Sequence, residues 1–212
     1  MSEGVDAIFR DALAAPSGIV LAAGPPRSGR ATTLQAALTL RPDAFIAGEV
    51  RDRETAEMAV QAALDGALVL AVVNAGDAVA AITRLKGMKV ESFLIASTLR
   101  VVLAQRLVQR LCPDCRRLVQ APAGVTARLG FDVGAVVYEA PGCAGCDHQG
   151  HRGRIGLFEA ISIDMDMRRL INGGDEAVIA SHAFRDRPNL AGAARAAVCG
   201  GAISAEEALR LS

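Results

Sequence analysis

Three observations predict an α/β fold built on a parallel sheet covered on both faces. The first is the unbroken apolar run Gly18-Ile19-Val20-Leu21-Ala22-Ala23, which leads straight into a glycine loop; a strand without alternation fits burial on both sides. The second is two further strand-length apolar runs, 44–50 and 67–73, with amphipathic helical stretches between them. The third is bulk: 51% of the 212 residues are hydrophobic, enough for a real core and an appendage. The expected architecture is a doubly wound core followed by a loop-rich cysteine segment and a helical C-terminal part.

Residues 5–14 place Val5, Ile8, Phe9, Ala12 and Leu13 at helical spacing, and Pro16-Ser17-Gly18 stops that helix. After the glycine loop, 32–40 reads as helix and Arg41-Pro42-Asp43 as a turn. The run 44–50 reads as a second buried strand ending on Glu49, an acid at the carboxyl end where α/β folds gather ligand groups, if its strand neighbours the first. An amphipathic helix follows over 53–64, with Ala56, Ala59, Val60 and Ala63 on one face, and then a third buried strand over 67–73. Asp77 is placed to cap a helix over 78–85, with Gly87 at its end. The stretch 92–111 reads as one long helix. From Cys112 the segments are short and rich in glycine. From Ser162 four helices are expected, 164–172, 175–184, 190–198 and 204–211, the last with Ser204 and Glu207 as a capping box.

Charge excludes some functions. Basic and acidic residues balance at 23 each, so nothing in the total favours nucleic acid or a membrane surface. No apolar run reaches membrane-spanning length. The first ten residues carry acids and no signal core, so a cytoplasmic location is expected. Arg100, Arg106, Arg110, Arg116 and Arg117 read as a solvated basic face or a subunit contact.

Gly24-Pro25-Pro26-Arg27-Ser28-Gly29-Arg30-Ala31-Thr32 follows the first strand and opens a helix, the setting of the phosphate-cradling pattern G-x-x-x-x-G-K-[ST]. Gly24 and Gly29 keep the spacing. Arg30 replaces the lysine, and Ala31 replaces the hydroxyl that would ligate Mg²⁺. Arginine keeps the charge but is larger and forked. Thr32 comes one residue late and points about a hundred degrees away on a helix. The nucleotide-binding candidates are therefore Gly24, Ser28, Gly29, Arg30, Ala31 and Thr32, expected to give weak nucleotide or phosphate binding without competent metal; the alternative is a structural strand-to-helix turn. Glu49 is the candidate catalytic acid, against a salt bridge with Arg51.

Cys112-Pro113-Asp114-Cys115 and Cys143-Ala144-Gly145-Cys146 form two C-x-x-C knuckles. Two such turns can set four thiolates tetrahedrally round Zn²⁺, and a closed four-sulfur site is structural. The alternatives are a redox pair or a site that has lost its metal. His148 and His151 are expected to stand by without ligating, and Cys199 to be a small core residue.

From Arg41 onward the sequence resembles the type II secretion and type IV pilus assembly ATPases. The stretches that carry the resemblance are 41–57 (Arg41-Pro42-Asp43-Ala44-Phe45-Ile46-Ala47-Gly48-Glu49-Val50-Arg51-Asp52-Arg53-Glu54-Thr55-Ala56-Glu57), Ala81-Ile82-Thr83-Arg84-Leu85, Phe93-Leu94-Ile95-Ala96-Ser97, 103–115 with the first knuckle, and His151-Arg152-Gly153-Arg154-Ile155-Gly156-Leu157-Phe158-Glu159. Upstream, 18–38 resembles that family's Walker A strand, loop and helix. The resemblance implies an internally shortened RecA-like P-loop core over 1–111, a tetracysteine zinc subdomain over 112–158 and a helical C-terminal subdomain over 159–212. It implies ATP and Mg²⁺ as ligands, a homo- or hetero-oligomeric and typically hexameric ring, and inner-membrane platform proteins as partners. On this reading the protein is cytoplasmic and reaches the membrane through those partners.

The sequence departs from that family at Arg30 and Ala31. It also lacks, between Leu40 and Arg41, the segment that carries the family's acidic box. The histidine box reads Gly66-Ala67 and Asn74-Ala75-Gly76. The domain that docks to the platform is expected to be missing. These losses fall on phosphate chemistry, while packing and cysteine positions persist. Losing one such donor costs about 2–4 kcal/mol of barrier. The expectation is a degenerate member without efficient ATP hydrolysis, acting as an interaction or regulatory subunit. The alternatives are a weak ATPase using Arg30 and Glu49, and a decayed homologue.

Overall fold

The computed structural model describes residues 1–211. Its elements in order are α1 (Glu3–Ala14), β1 (Gly18–Ala23), α2 (Arg30–Leu40), β2 (Phe45–Glu49), α3 (Arg53–Leu64), β3 (Leu68–Val73), α4 (Ala78–Gly87), α5 (Ser92–Thr98), β4 (Leu99–Leu111), β5 (Arg117–Gln120), α6 (Ala123–Leu129), β6 (Val136–Glu139), a 3₁₀ turn (Ala144–Cys146), β7 (His151–Ser162), α7 (Met165–Gly173), α8 (Glu176–Ala183), α9 (Leu190–Cys199) and α10 (Ala205–Leu209). One sheet runs β2-β3-β1-β4-β7, and β5 and β6 form a separate antiparallel pair. The pairs β1–β3, β1–β4 and β2–β3 are parallel.

Two compact units emerge, each made of two stretches of chain. The first holds Met1–Arg106 and Phe158–Arg187; the second holds Leu107–Leu157 and the chain from Pro188.

In the first unit every residue of β1 is buried. Alternate residues of the strands, Val20 and Ala22, Leu68 and Leu70, Val101 and Leu103, pack with Val5, Phe9 and Leu13 of α1 and Leu34 and Ala37 of α2. The opposite set, including Ile19, Leu21 and Leu99, meets Ala56, Ala59 and Val60 of α3, Leu85 of α4 and Ile95 of α5 around a gap of only about 10 Å³. Helices thus cover both faces, as the unbroken apolar strands require. Leu70 is fully buried in this core. Leu70→Ala should lower stability by about 3 kcal/mol, read from the urea midpoint; a loss under about 1 kcal/mol would mean the site collapses freely.

Helix ends follow local chemistry. Asp52 caps α3 by accepting from the Thr55 N–H, and the Thr55 hydroxyl closes the box. Asp77 caps α4 through Ala80 N–H, and Asp164 and Asp175 cap α7 and α8 in the same way. Gly87 is the last residue of α4, and Met88 closes it. Ser204 caps α10 by accepting from Glu207 N–H. The Glu207 carboxylate does not complete a capping box; it accepts from the Gln109 N–H at 3.1 Å.

Three expectations need correction. The long helix over 92–111 is a seven-residue helix followed by a thirteen-residue strand. Leu99, Val101, Val102, Leu103 and Ala104 are all fully buried in the sheet, so both faces are apolar and the run matches helical spacing by coincidence. The Thr98 hydroxyl turns back on the Leu94 carbonyl at the break. β2 is not a buried strand: it lies at the sheet edge, and Phe45 and Ile46 are 51% and 52% exposed. Cys199 is exposed rather than in the core.

Candidate functional site

The glycine loop joins β1 to α2. Gly24 lies at φ 154°, and a Cβ there would sit 2.4 Å from Ser28 Oγ and 2.6 Å from the Gln105 carbonyl oxygen. Gly29, the N-cap of α2, is left-handed at φ 88°. Both glycines are thus required by geometry. Gly24→Ala should destabilise the first unit by about 2 kcal/mol or more, measured by thermal melting; an unchanged melting temperature would show that the loop can re-form around a side chain.

Gly24, Ser28, Gly29 and Arg30 come together in this turn. Ser28 is buried, with its hydroxyl unpartnered, and its N–H bonds the Pro25 carbonyl. Arg30 does not extend over the loop. Its Nη1 donates to the Val73 carbonyl at 2.6 Å, the same oxygen that accepts the Gly24 N–H at 3.3 Å. Ala31 and Thr32 are exposed on the first turn of α2. The hydroxyl that engages the fold is that of Thr33, which donates to Gln105 Oε1 at 2.6 Å. Val73, Thr33 and Gln105 were not found from the sequence. Gln105 alone left a signal, as a polar residue inside an apolar run. The early N–H groups of α2 have no intrahelical acceptors, so this turn can hold an anion.

Glu49 ends β2, and β3 separates that strand from β1. Its Oε2 accepts from Arg51 Nε at 2.9 Å and Nη2 at 2.7 Å. That pairing, with smaller help from the charges of Arg51, Arg30 and Arg84, holds its carboxyl below the usual range. The structure therefore places Glu49 in an ion pair with Arg51. Four of the five arginines read as one basic face have separate engagements: Arg100 Nε on the Ser17 carbonyl, Arg106 on Gly76, Arg116 over the Tyr138 ring and Arg117 with Glu139.

The second unit carries the cysteine cluster. The Sγ atoms of Cys112, Cys115, Cys143 and Cys146 all lie within 4.8 Å of one another. Cys112–Cys143 and Cys115–Cys146 are 3.9 Å apart and Cys143–Cys146 is 3.7 Å. A tetrahedral zinc with Zn–S of about 2.3 Å needs sulfurs about 3.8 Å apart, so the four residues fit the ion. The backbone around the knuckles is fixed by local geometry. The 3₁₀ turn Ala144–Cys146 is followed by Asp147 and His148 at φ 50° and 60°. Gly142 and Gly150 have positive φ, and a Cβ on either would strike a carbonyl, that of His148 at 2.4 Å or of Ala140 at 2.3 Å. Cys112 N–H bonds Gly150 O and ties one knuckle to the other.

Burial pushes the Cys115 thiol up to about 12 and raises Cys143 as well. The Cys143 N–H at 3.2 Å is the main reason Cys146 falls to about 7. A central cation favours all four thiolates and removes that conflict. His148 and His151 lie outside the cluster. His151 Nδ1 is 3.0 Å from the Gln149 carbonyl.

Residues 33–210 match the family model described as "Type II/IV secretion system protein". The type II secretion system protein E of Pseudomonas aeruginosa is 36% identical over 100% of this chain and 52% of its own length. The type IV pilus assembly ATPase TfpB of Acinetobacter baylyi is 40% identical over 68% of this chain and 25% of its own. The pilus retraction motor PilT with bound ADP superposes with a TM-score of 0.66 at 17% identity, covering 98% of this chain and 64% of its own; this likeness speaks for the fold. The chain spans about half the length of the protein E relative. That alignment runs over 260 positions against a chain of 212 residues, so several dozen positions of the relative have no counterpart here.

Proposed function

The chain belongs to the type II/IV secretion system protein family, and from that premise we propose that it is a degenerate member without efficient ATP hydrolysis, working as an interaction or regulatory subunit of a secretion or pilus machine. One observation carries the reading. The guanidinium at the lysine position of the glycine loop is bound to the Val73 carbonyl, and the next residue, Ala31, has no hydroxyl for a metal. Phosphoryl transfer needs charge neutralisation, metal and a positioned water together. The Glu49–Arg51 pair also fits this reading, because a carboxylate already engaged is a poor partner for water or Mg²⁺.

On the same reading the core is a RecA-like P-loop fold, the four cysteines hold a structural Zn²⁺, and the chain joins a homo- or hetero-oligomeric ring beside inner-membrane platform proteins. It would be cytoplasmic and peripheral to the membrane; no helix among the described residues is long and apolar enough to cross one. A second reading, a weak ATPase completed by a neighbouring subunit, is supported by the charge of Arg30 acting on Glu49. Co-purification with a full-length motor from the same cell, followed by sizing of the complex, tests the interaction role. A ring containing both chains is expected. Separate elution at every ratio would count against a subunit role, and hydrolysis by the chain alone would favour the second reading.

A further inference from the structure

A cavity of about 440 Å³ lies wholly within the second unit, which does not contain the glycine loop. Leu111 of β4, Val119 of β5, Val125 of α6 and Val137 of β6 give it apolar walls. Small-ligand sites have this size and this character, an apolar body with a few polar groups that set orientation. The walls are fixed by their own packing. The Tyr138 ring, which also lines the cavity, lies under the Arg116 guanidinium at 5.2 Å, and a Cβ on Gly201 would come within 2.6 Å of it. The Leu111 N–H bonds the Ala202 carbonyl and ties β4 to the turn ahead of α10. A cavity formed in advance leaves little ordering cost for a ligand.

The polar groups of the lining mostly accept hydrogen bonds. Glu206, in the first turn of α10, is exposed and belongs to no ion pair among the described residues. Glu139 adds a second carboxylate, shared with Arg117. His151 Nδ1 faces the Gln149 carbonyl at 3.0 Å; a carbonyl only accepts, so Nδ1 carries the proton and the neutral ring leaves Nε2 a bare acceptor. That Nε2 is buried and has no partner. No arginine or lysine among the described residues lines the cavity. Two carboxylates beside apolar walls therefore favour a cation and turn away an anion.

We propose that this cavity binds a small apolar amine in its protonated form, with the hydrocarbon body against Leu111 and the valines and the ammonium toward Glu206 and the His151 acceptor. A free amine and a polypeptide lysine beside an apolar residue share this chemistry. The site is independent of the hydrolysis question, because none of its residues belongs to the first unit.

Ligand-observed NMR titration of the full chain, purified without chelator and held at neutral pH, tests this with phenethylamine. A dissociation constant of about 1 mM or tighter is expected. Phenethyl alcohol, the same body without the charge, should bind about fivefold more weakly, and phenylpropionate more weakly still. Glu206→Gln should weaken the amine about fivefold, leave the alcohol unchanged and leave the melting temperature alone, since the exposed carboxylate pairs with nothing in the fold. Val125→Phe fills the space and should weaken amine and alcohol together. Acetyl-Phe-Lys-amide separates the two sources: binding as tight as the amine's assigns the site to a protein side chain, and exclusion assigns it to a free amine. A constant for phenethylamine above about 10 mM, equal affinity for the amine and phenylpropionate, or an unaltered constant in Glu206→Gln would overturn the proposal.

Discussion

On the proposed zinc assignment, replacing Cys112 with serine will abolish metal binding and unfold the stretch 112–157 of the second unit. The expectation follows from how little else holds the stretch between and around the two knuckles, as against α9 and the turn leading into α10, which bury Val198 and Ile203. β5 and β6 have four residues each and α6 has seven. Leu118, Val133 and Val136 are 60%, 99% and 55% exposed, so much of its apolar surface stays in water. Small folds with so little core need a staple. Structural zinc supplies about 10–16 kcal/mol of apparent binding free energy in small metal-dependent folds. Cys112 is fully buried and is one of the four clustered sulfurs, so its loss leaves three thiolates around a site that serine cannot close.

Elemental analysis of the unaltered chain should give about one zinc per molecule, and the Cys112→Ser chain under about a tenth. Limited proteolysis should then cut within 112–157 while the first unit survives. Cys199→Ser is the control: that thiol is exposed and outside the cluster, so metal content and melting should not change. Less than about a tenth of an equivalent of zinc in unaltered protein purified without chelator would sink the metal assignment. Equal protease resistance in both chains would show that the knuckles hold without it.

Steady-state ATP turnover by the purified chain should not rise above background. Each missing phosphate contact costs about 2–4 kcal/mol of barrier. Such losses are not additive, yet two or three together predict a rate at least about a thousandfold below that of an active motor. Arg30 would also have to leave the Val73 carbonyl, forfeiting a charge-assisted hydrogen bond that is typically worth about 1.5–3 kcal/mol. Arg30→Ala is the decisive control. Activity that persists in that variant belongs to a contaminant, whereas activity that vanishes with it refutes the inactive reading. The double change Arg30→Lys with Ala31→Thr should tighten nucleotide binding without restoring turnover, because Glu49 stays with Arg51. Recovery of a motor-like rate in that double variant would place the whole deficit at those two positions.

Much of the first unit was legible along the chain. β1, β3 and α3 lie within a residue of where the apolar runs and the alanine stripe put them. Strands buried on both faces leave no periodicity, and that defeated the reading of β4, whose apolar residues satisfy either period. The edge position of β2 was hidden for a related reason. Its composition is that of a buried strand, and only the pairing order exposes Phe45 and Ile46. The partner of Arg30 was invisible because it is a backbone carbonyl, which every residue carries.

Local covalent chemistry is what the chain alone determined. The glycines at 24 and 29, the arginine and alanine that follow, and two C-x-x-C turns each dictate a geometry over a few residues, and that geometry is the same wherever the fold puts them. Tertiary structure decided what depends on distant neighbours. It brought Cys112 and Cys115 within 4.8 Å of Cys143 and Cys146, turned Arg30 onto Val73, kept Glu49 with Arg51, and drew each compact unit from two separate stretches of chain. Such pairings are set by which strands lie side by side, and strand order reflects the packing free energy of the whole sheet rather than any residue's own preference.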